Sequence, residues 1–74
     1  MRPDGIQARM VELVTAALEE AGLSQAEFAR LTGASPKHVN LFVRGKAGVS
    51  LSMLDFWAYA LGKRWEISLV EVPK

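Results

Sequence analysis

Hydrophobic residues near the start of the chain recur at spacings of three and four, the pattern of one face of an α-helix. A helix over residues 6–22 carries on that face Ile6, Met10, Leu13, Val14, Ala17, Leu18 and Ala21. Asp4, with Gln7 three positions further on, has the spacing of a helix cap, and Gly22 suits the helix end. We expect this helix to form part of the core and to carry no chemistry.

Two shorter helices are predicted over 25–32 and 36–44 because capping residues bound both of them. Ser24 and Glu27 have the spacing of a capping box, in which each side chain binds a backbone amide at the helix start. Gly33 suits the left-handed conformation that ends a helix, and Ser35 followed by Pro36 begins the next. The side chains predicted to face inward are Phe28, Ala29, Leu31, Val39, Phe42 and Val43. The pattern is that of a helix-turn-helix.

A fourth helix is predicted over 51–61, with either Ser50 or Ser52 as its cap. Its apolar arc spans half the circumference and comprises Leu51, Met53, Leu54, Trp57, Ala58, Ala60 and Leu61. Phe56 and Tyr59 lie beyond that arc. An apolar surface of this breadth exceeds what a small monomeric core covers, so we expect Phe56 and Tyr59 to contact another chain.

The C-terminal stretch WEISLVEV alternates over its first six residues and predicts a β-strand over 65–72. Trp65, Ile67 and Leu69 share one face of it. The sequence offers no second strand, and a lone strand leaves its backbone donors and acceptors unpaired. We therefore expect the strand to pair antiparallel with its own copy in a homodimer. The alternative is an extension that packs irregularly over the helices.

Composition restricts the function classes. A chain of 74 residues, 50% of them hydrophobic, forms one domain, 1–74, with a small core. It has no cysteine, which excludes disulfides and thiolate metal sites, and no apolar run long enough for a membrane span. The single histidine, His38, has no carboxylate at helical spacing, so we expect neither an enzyme nor a cofactor. A soluble, cytoplasmic protein is expected.

The charge distribution favours a nucleic-acid partner more than the net charge of +1 does. Between Ser24 and Gly48 four basic residues stand against one acidic residue, whereas the rest of the chain carries a net −2. A basic surface on an otherwise acidic body is typical of a protein that meets nucleic acid on one side. An ordinary scatter of solvated charges is the alternative.

The helix-turn-helix segment resembles that of the Cro and phage-repressor (XRE) class. Gln25, Ala29, Gly33, Val39 and Phe42 stand at that class's characteristic positions, and the resemblance covers residues 6–62. It implies a mostly α, lambda-repressor-like bundle of four helices, or five with a short turn, to which the C-terminal strand is added. The fourth helix and following strand look like those of small dimeric HipB-type antitoxins and of Cro-like phage proteins.

The resemblance also implies DNA contacts. It places near the bases of the major groove Pro36, Lys37, His38, Asn40 and Leu41, and near phosphates Gln25 and Arg44. Lys37 suits guanine, Asn40 suits adenine or a phosphate, and Leu41 suits a thymine methyl. Further phosphate contacts are expected from the helix starts and the basic loop, at Ser24, Ser35 and Lys46. Arg2 either touches a phosphate or belongs to a disordered terminus.

These observations predict a sequence-specific DNA-binding transcriptional regulator, a repressor or autorepressor that binds a palindromic operator as a homodimer. The expected dimer interface comprises Phe56, Tyr59, Trp65, Ile67 and Leu69. The alternative is a protein-interaction module, such as an antitoxin that sequesters a toxin, with DNA binding secondary.

Overall fold

Four helices make up the regular structure of the chain. A computed structural model describes residues 5–73, and in it α1 spans Gly5–Ala21, α2 Gln25–Thr32, α3 Pro36–Val43 and α4 Leu51–Ala60. The predicted mostly α, four-helix fold is confirmed, and the helix ends lie within one residue of the predicted ones. Within 5–73 there is no fifth helix. The predicted cap Asp4 and the phosphate candidate Arg2 lie outside the described residues.

Local capping chemistry sets the start of α2 and the turn that follows it. The Ser24 hydroxyl accepts the Glu27 amide at 3.1 Å, and the Glu27 carboxylate accepts the Ser24 amide at 2.8 Å, so the capping box is complete. Gly33 ends the helix with a φ of 75°, in the left-handed region where a side chain is strained. The short turn through Gly33 brings α3 directly against α2.

The next two helices also begin at serine caps. Ser35 accepts the His38 amide at 3.0 Å, with Pro36 as the first residue of α3. Of the two candidates for α4, the cap is Ser50, which accepts the Met53 amide at 3.1 Å. Ser35 and Ser50 thus fix both ends of the segment that contains α3 and the loop after it.

Trp57 of α4 lies at the centre of the core. It is fully buried and meets the rings of Phe28 and Phe42 edge to face, with centroids 5.2 and 5.4 Å away. Val39 of α3 is also fully buried, and Leu54 nearly so. Burying one such side chain stabilises the fold by about 1.5–3 kcal/mol. The cluster therefore holds α2, α3 and α4 in one rigid arrangement.

Several residues predicted to face inward are exposed instead. Leu31 of α2 is 55% exposed, and Ile6 and Leu51, at the first turns of α1 and α4, are 61% and 76% exposed. Helical spacing places these leucines and this isoleucine on the apolar faces, but the core of so short a chain is too narrow to cover the edges of those faces.

The predicted strand over 65–72 is not formed in this chain. Residues 63–73 have no regular secondary structure, because a strand needs a hydrogen-bonded neighbour and residues 5–73 contain none. Trp65 packs against the core of its own chain, and its indole N–H donates to the Leu54 carbonyl at 2.8 Å. Within its own chain, Trp65 therefore anchors the tail to α4.

Beyond Trp65 the tail is exposed. The apolar side chains at 67, 69, 70 and 72 each have at least 70% of their surface accessible to solvent. None of the helices described is long and apolar enough to cross a bilayer.

Candidate nucleic-acid interface

The start of α3 offers the most accessible of the predicted base contacts. Pro36 and Lys37 are both exposed there, directly after the cap. The cap occupies a lone pair of the Ser35 hydroxyl, whose O–H remains able to donate to a phosphate oxygen. Leu41, one turn further along, is half-buried. Of the five predicted base contacts, Lys37 alone combines a positive charge with full access.

A side-chain bridge joins the start of α2 to the middle of α3. The Asn40 amide group donates to the Gln25 carbonyl oxygen at 3.0 Å. Gln25 keeps both of its own N–H donors, and Asn40 keeps one N–H and its carbonyl oxygen. The bridge thus holds the Asn40 side chain against α2. It leaves both side-chain N–H groups of Gln25 available to donate to a phosphate.

His38 is placed differently from its prediction as a base contact. Its Nε2 lies 3.0 Å from the Gly48 carbonyl oxygen, and its ring meets Trp57 edge to face at 6.5 Å. Since a carbonyl can only accept, Nε2 carries the proton of this bond. The half-buried ring therefore bonds to the loop between α3 and α4 rather than presenting Nε2 to solvent.

The capping box changes what the start of α2 can offer to a phosphate. The Ser24 amide is bound by the Glu27 carboxylate, as the predicted capping box requires. The pKa of that carboxyl is lowered, first by the Ser24 amide, then by the Ser24 hydroxyl, with a smaller contribution from Arg30. A charged carboxylate at Ser24 opposes an anion, so the Gln25 side chain is the better phosphate candidate here.

The basic residues of the helix-turn-helix segment have no carboxylate partners in the described part of the chain. The three ion pairs found there join Arg9 to Glu12, Lys63 to Glu20 and Arg64 to Glu66, all outside residues 24–48. Exposed cations without a partner keep their full attraction for an anion. Those within the segment are Lys37, Arg44 and Lys46, whereas Arg30 forms no direct ion pair but is attracted to Glu27.

Arg44 and Lys46 lie where α3 ends and the loop begins, and both are exposed. The Lys46 amide donates to the Leu41 carbonyl at 2.8 Å, so the loop turns back on α3 directly at this residue. A further hydrogen bond joins α1 to the loop: Gln7 Nε2 donates to the Ala47 carbonyl at 3.1 Å. The sequence suggests Gln7 only as a capping partner of Asp4 and gives no signal for its contact with Ala47, 40 residues away.

The residues predicted for a protein interface remain largely accessible, apart from Trp65. Phe56 is 46% exposed and Tyr59 78% exposed on the outer side of α4, and Ile67 and Leu69 are exposed on the tail. Among residues 5–73 no cluster of three or more His, Cys, Asp or Glu side chains could hold a metal ion.

Comparison with known proteins identifies the family. Neither a curated protein nor a solved structure matches the chain significantly. A family model described as "Helix-turn-helix" matches residues 14–67, which include α2, α3, α4 and the anchoring Trp65. This match agrees with the capped helix pair, its glycine turn and its buried Val39 and Phe42. The chain belongs to the XRE-type helix-turn-helix family, the Cro and repressor class of DNA-binding regulators.

Proposed function

We propose that this protein is a sequence-specific transcriptional regulator, a repressor or autorepressor that binds a palindromic operator as a homodimer. One observation carries the proposal: the cations of the helix-turn-helix have no carboxylate partner in the described chain, whereas the three ion pairs lie elsewhere. Their charge is available for phosphates, and Lys37 stands on the helix that would enter the major groove.

Specificity is assigned to the first turns of α3. Lys37 would donate to guanine N7 and O6, with Pro36 beside it in the groove and the methyl groups of Leu41 near a thymine methyl. Asn40 would use the donor and acceptor that the Gln25 bridge leaves free. His38 is not assigned a base, because its Nε2 is bonded to Gly48.

Backbone contacts are assigned to side chains around this helix. Gln25 and Ser35 would donate to phosphates from the two helix starts, and Arg44 and Lys46 would add charge at the other end of α3. Ser24 would contribute only through its hydroxyl hydrogen, because its amide is taken. These contacts position the protein without distinguishing sequences.

Dimerisation is proposed because one copy has so small a base-contacting surface. Ile67 and Leu69 lie on an exposed tail that has no backbone partner among residues 5–73, which supports antiparallel pairing with the tail of a second copy. Phe56 and Tyr59 would extend the contact along α4. Two copies would place their α3 helices in successive major grooves, about 34 Å apart.

The operator is sought by footprinting the DNA directly upstream of the protein's own gene. A protected palindrome with half-sites one helical turn apart, and affinity that falls steeply with salt, supports the proposal. Binding that is equally tight on random duplexes contradicts sequence specificity.

The dimer is tested by light scattering on a chain that ends at Trp65, which keeps the anchor on Leu54. A point variant, Leu69→Lys, changes a side chain that makes no contact in the monomer, so its folding is unaffected. Monomers with weak operator binding are expected from both. A truncated chain that remains dimeric refutes pairing through the tail.

A toxin-binding antitoxin is the second candidate. The exposed Phe56 and Tyr59 and the apolar tail favour a protein partner, and DNA binding would then be secondary. Salt distinguishes the two functions: association with a protein through these apolar residues is insensitive to salt, whereas DNA binding is not.

A further inference from the structure

Two side chains from different helices bind consecutive carbonyl groups of the loop between α3 and α4. Gln7 of α1 donates from Nε2 to the Ala47 carbonyl at 3.1 Å, and His38 of α3 donates from Nε2 to the Gly48 carbonyl at 3.0 Å. Both bonds span long stretches of sequence, so neither follows from local chain geometry. We call this pair of contacts the loop clamp.

The loop has two other constraints, backbone hydrogen bonds at its start and the packing of Val49 against the core near its end. It runs from 44 to 50, contains Gly45 and Gly48, and has no regular secondary structure. Backbone hydrogen bonds tie its first residues, through Lys46, to the end of α3. After Lys46, the carbonyls at 47 and 48 accept from Gln7 and His38. The clamp therefore acts on Ala47 and Gly48, which lie between Lys46 and the core-packed Val49.

We propose that Gln7 and His38 are positioning residues for DNA binding: they hold the loop on the C-terminal side of Lys46, whose own amide is bonded to α3, so that Lys46 meets the phosphate backbone in a fixed place. The inference rests on the proposed function, in which Lys46 is a backbone contact. A loop that is already ordered in the free protein loses little conformational entropy when it meets DNA, so binding costs less free energy. His38 thus acts on affinity for all sequences, not on the choice of bases.

The chemistry of the imidazole agrees with this role. In the neutral ring, Nε2 carries the proton given to Gly48, so Nδ1 carries none. An unprotonated nitrogen accepts and does not donate, so it suits neither a phosphate oxygen nor guanine N7 and O6. The ring is further held by its edge-to-face contact with the buried Trp57. Packing and hydrogen bonding both direct His38 to the loop.

Three substitutions of His38 separate positioning from base contact. His38→Gln keeps an N–H donor at nearly the distance of Nε2 along the side chain, whereas the donor of His38→Asn falls short, at the place of Nδ1. His38→Leu keeps the bulk without any donor. Gln7→Leu removes the other half of the clamp from α1, a helix that is assigned no DNA contact.

Circular dichroism first establishes that each variant is folded. His38→Asn, His38→Leu and Gln7→Leu should each weaken operator and random duplex by the same factor, about fivefold or more, the cost of ordering roughly one residue. His38→Gln should bind as the parent does. NMR order parameters of the Ala47 and Gly48 amides should fall in the three weakened variants and stay high in His38→Gln.

Two results overturn the proposal. One is parental affinity and parental loop order in both His38→Leu and Gln7→Leu. The other is a loss of preference at a single base pair in every His38 variant, His38→Gln included, which would make His38 a base contact. If the parent protein binds no DNA at any salt concentration, the proposed function fails, and the order parameters report separately whether the clamp orders the loop.

Discussion

Replacing Trp65 tests whether the tail is anchored to its own chain or to a partner. The indole N–H donates to the Leu54 carbonyl, which also accepts the helical amide four residues later. Trp65→Phe removes this one bond and keeps most of the ring, so it should destabilise the fold by about 0.5–1.5 kcal/mol. Trp65→Ala also removes the ring. Truncating a fully buried aromatic costs about 3–5 kcal/mol, and Trp65 is only half-buried, so about 2 kcal/mol is expected.

Urea denaturation measures both variants, with the fluorescence of Trp57 as the signal, since it is then the only tryptophan left. A contact within one chain gives a loss of stability that is the same at every protein concentration. A contact across a dimer gives a loss that grows as the protein is concentrated. Parental stability of Trp65→Ala in dilute protein, with a deficit only at high concentration, would show that Trp65 belongs to the interface.

Three further predictions concern the helix-turn-helix itself. Ser24→Ala should cost about 1 kcal/mol of unfolding free energy through the lost cap, measured by urea denaturation. Gly33→Ala should cost about 1–2 kcal/mol, because its φ of 75° strains a side chain although nothing lies within 4 Å of the added atom. Gly48→Ala is its control: its φ is ordinary and the nearest atom is 3.8 Å away, so melting temperature should change little. Because the pKa of Glu27 is lowered on folding, its ionisation stabilises the fold above the ordinary value of 4.5, and that advantage is lost as pH falls through the folded value. The stability difference between the parent and Glu27→Gln should therefore shrink in acid, and a difference that is constant between pH 7 and pH 3 would contradict it.

Helix positions were predictable because the signals that fix them are local. The reciprocal bonds of Ser24 and Glu27, the left-handed Gly33 and the Ser35 cap involve residues at most three apart. Burial was predictable where side chains lie at the middle of an apolar face, as with Phe42 and Trp57, both fully buried.

The rest depended on how the helices assemble. Gln7, His38 and Trp65 bind backbone carbonyls 40, 10 and 11 residues away. Because every residue has a backbone carbonyl, the sequence does not indicate which one will accept a side-chain hydrogen bond. The sequence therefore suggests a base contact for His38 and an interface contact for Trp65, and does not indicate the bonds that both side chains form within the chain. The strand over 65–72 fits an alternating pattern, but alternation does not supply the neighbouring strand that a ladder requires.

In the candidate site, too, some features follow from the sequence and others only from how the helices pack. The accessibility of Lys37 and Arg44 followed from their positions on and just after α3, but the absence of competing carboxylates in the described chain emerged only from the packed structure. The bridge from Asn40 to Gln25 likewise depends on the crossing of α2 and α3.

DNA affinity of two variants, measured on the operator and on a random duplex over a range of salt, tests the proposed role of α3 most directly. Lys37→Ala should lose about 1–3 kcal/mol on the operator, with relaxed preference at one base pair and a smaller loss on random DNA. Arg44→Ala should weaken both duplexes alike and reduce the salt slope by about 1. Equal losses on both duplexes for both variants would contradict base contact by Lys37, and an affinity insensitive to salt would contradict DNA binding through these cations.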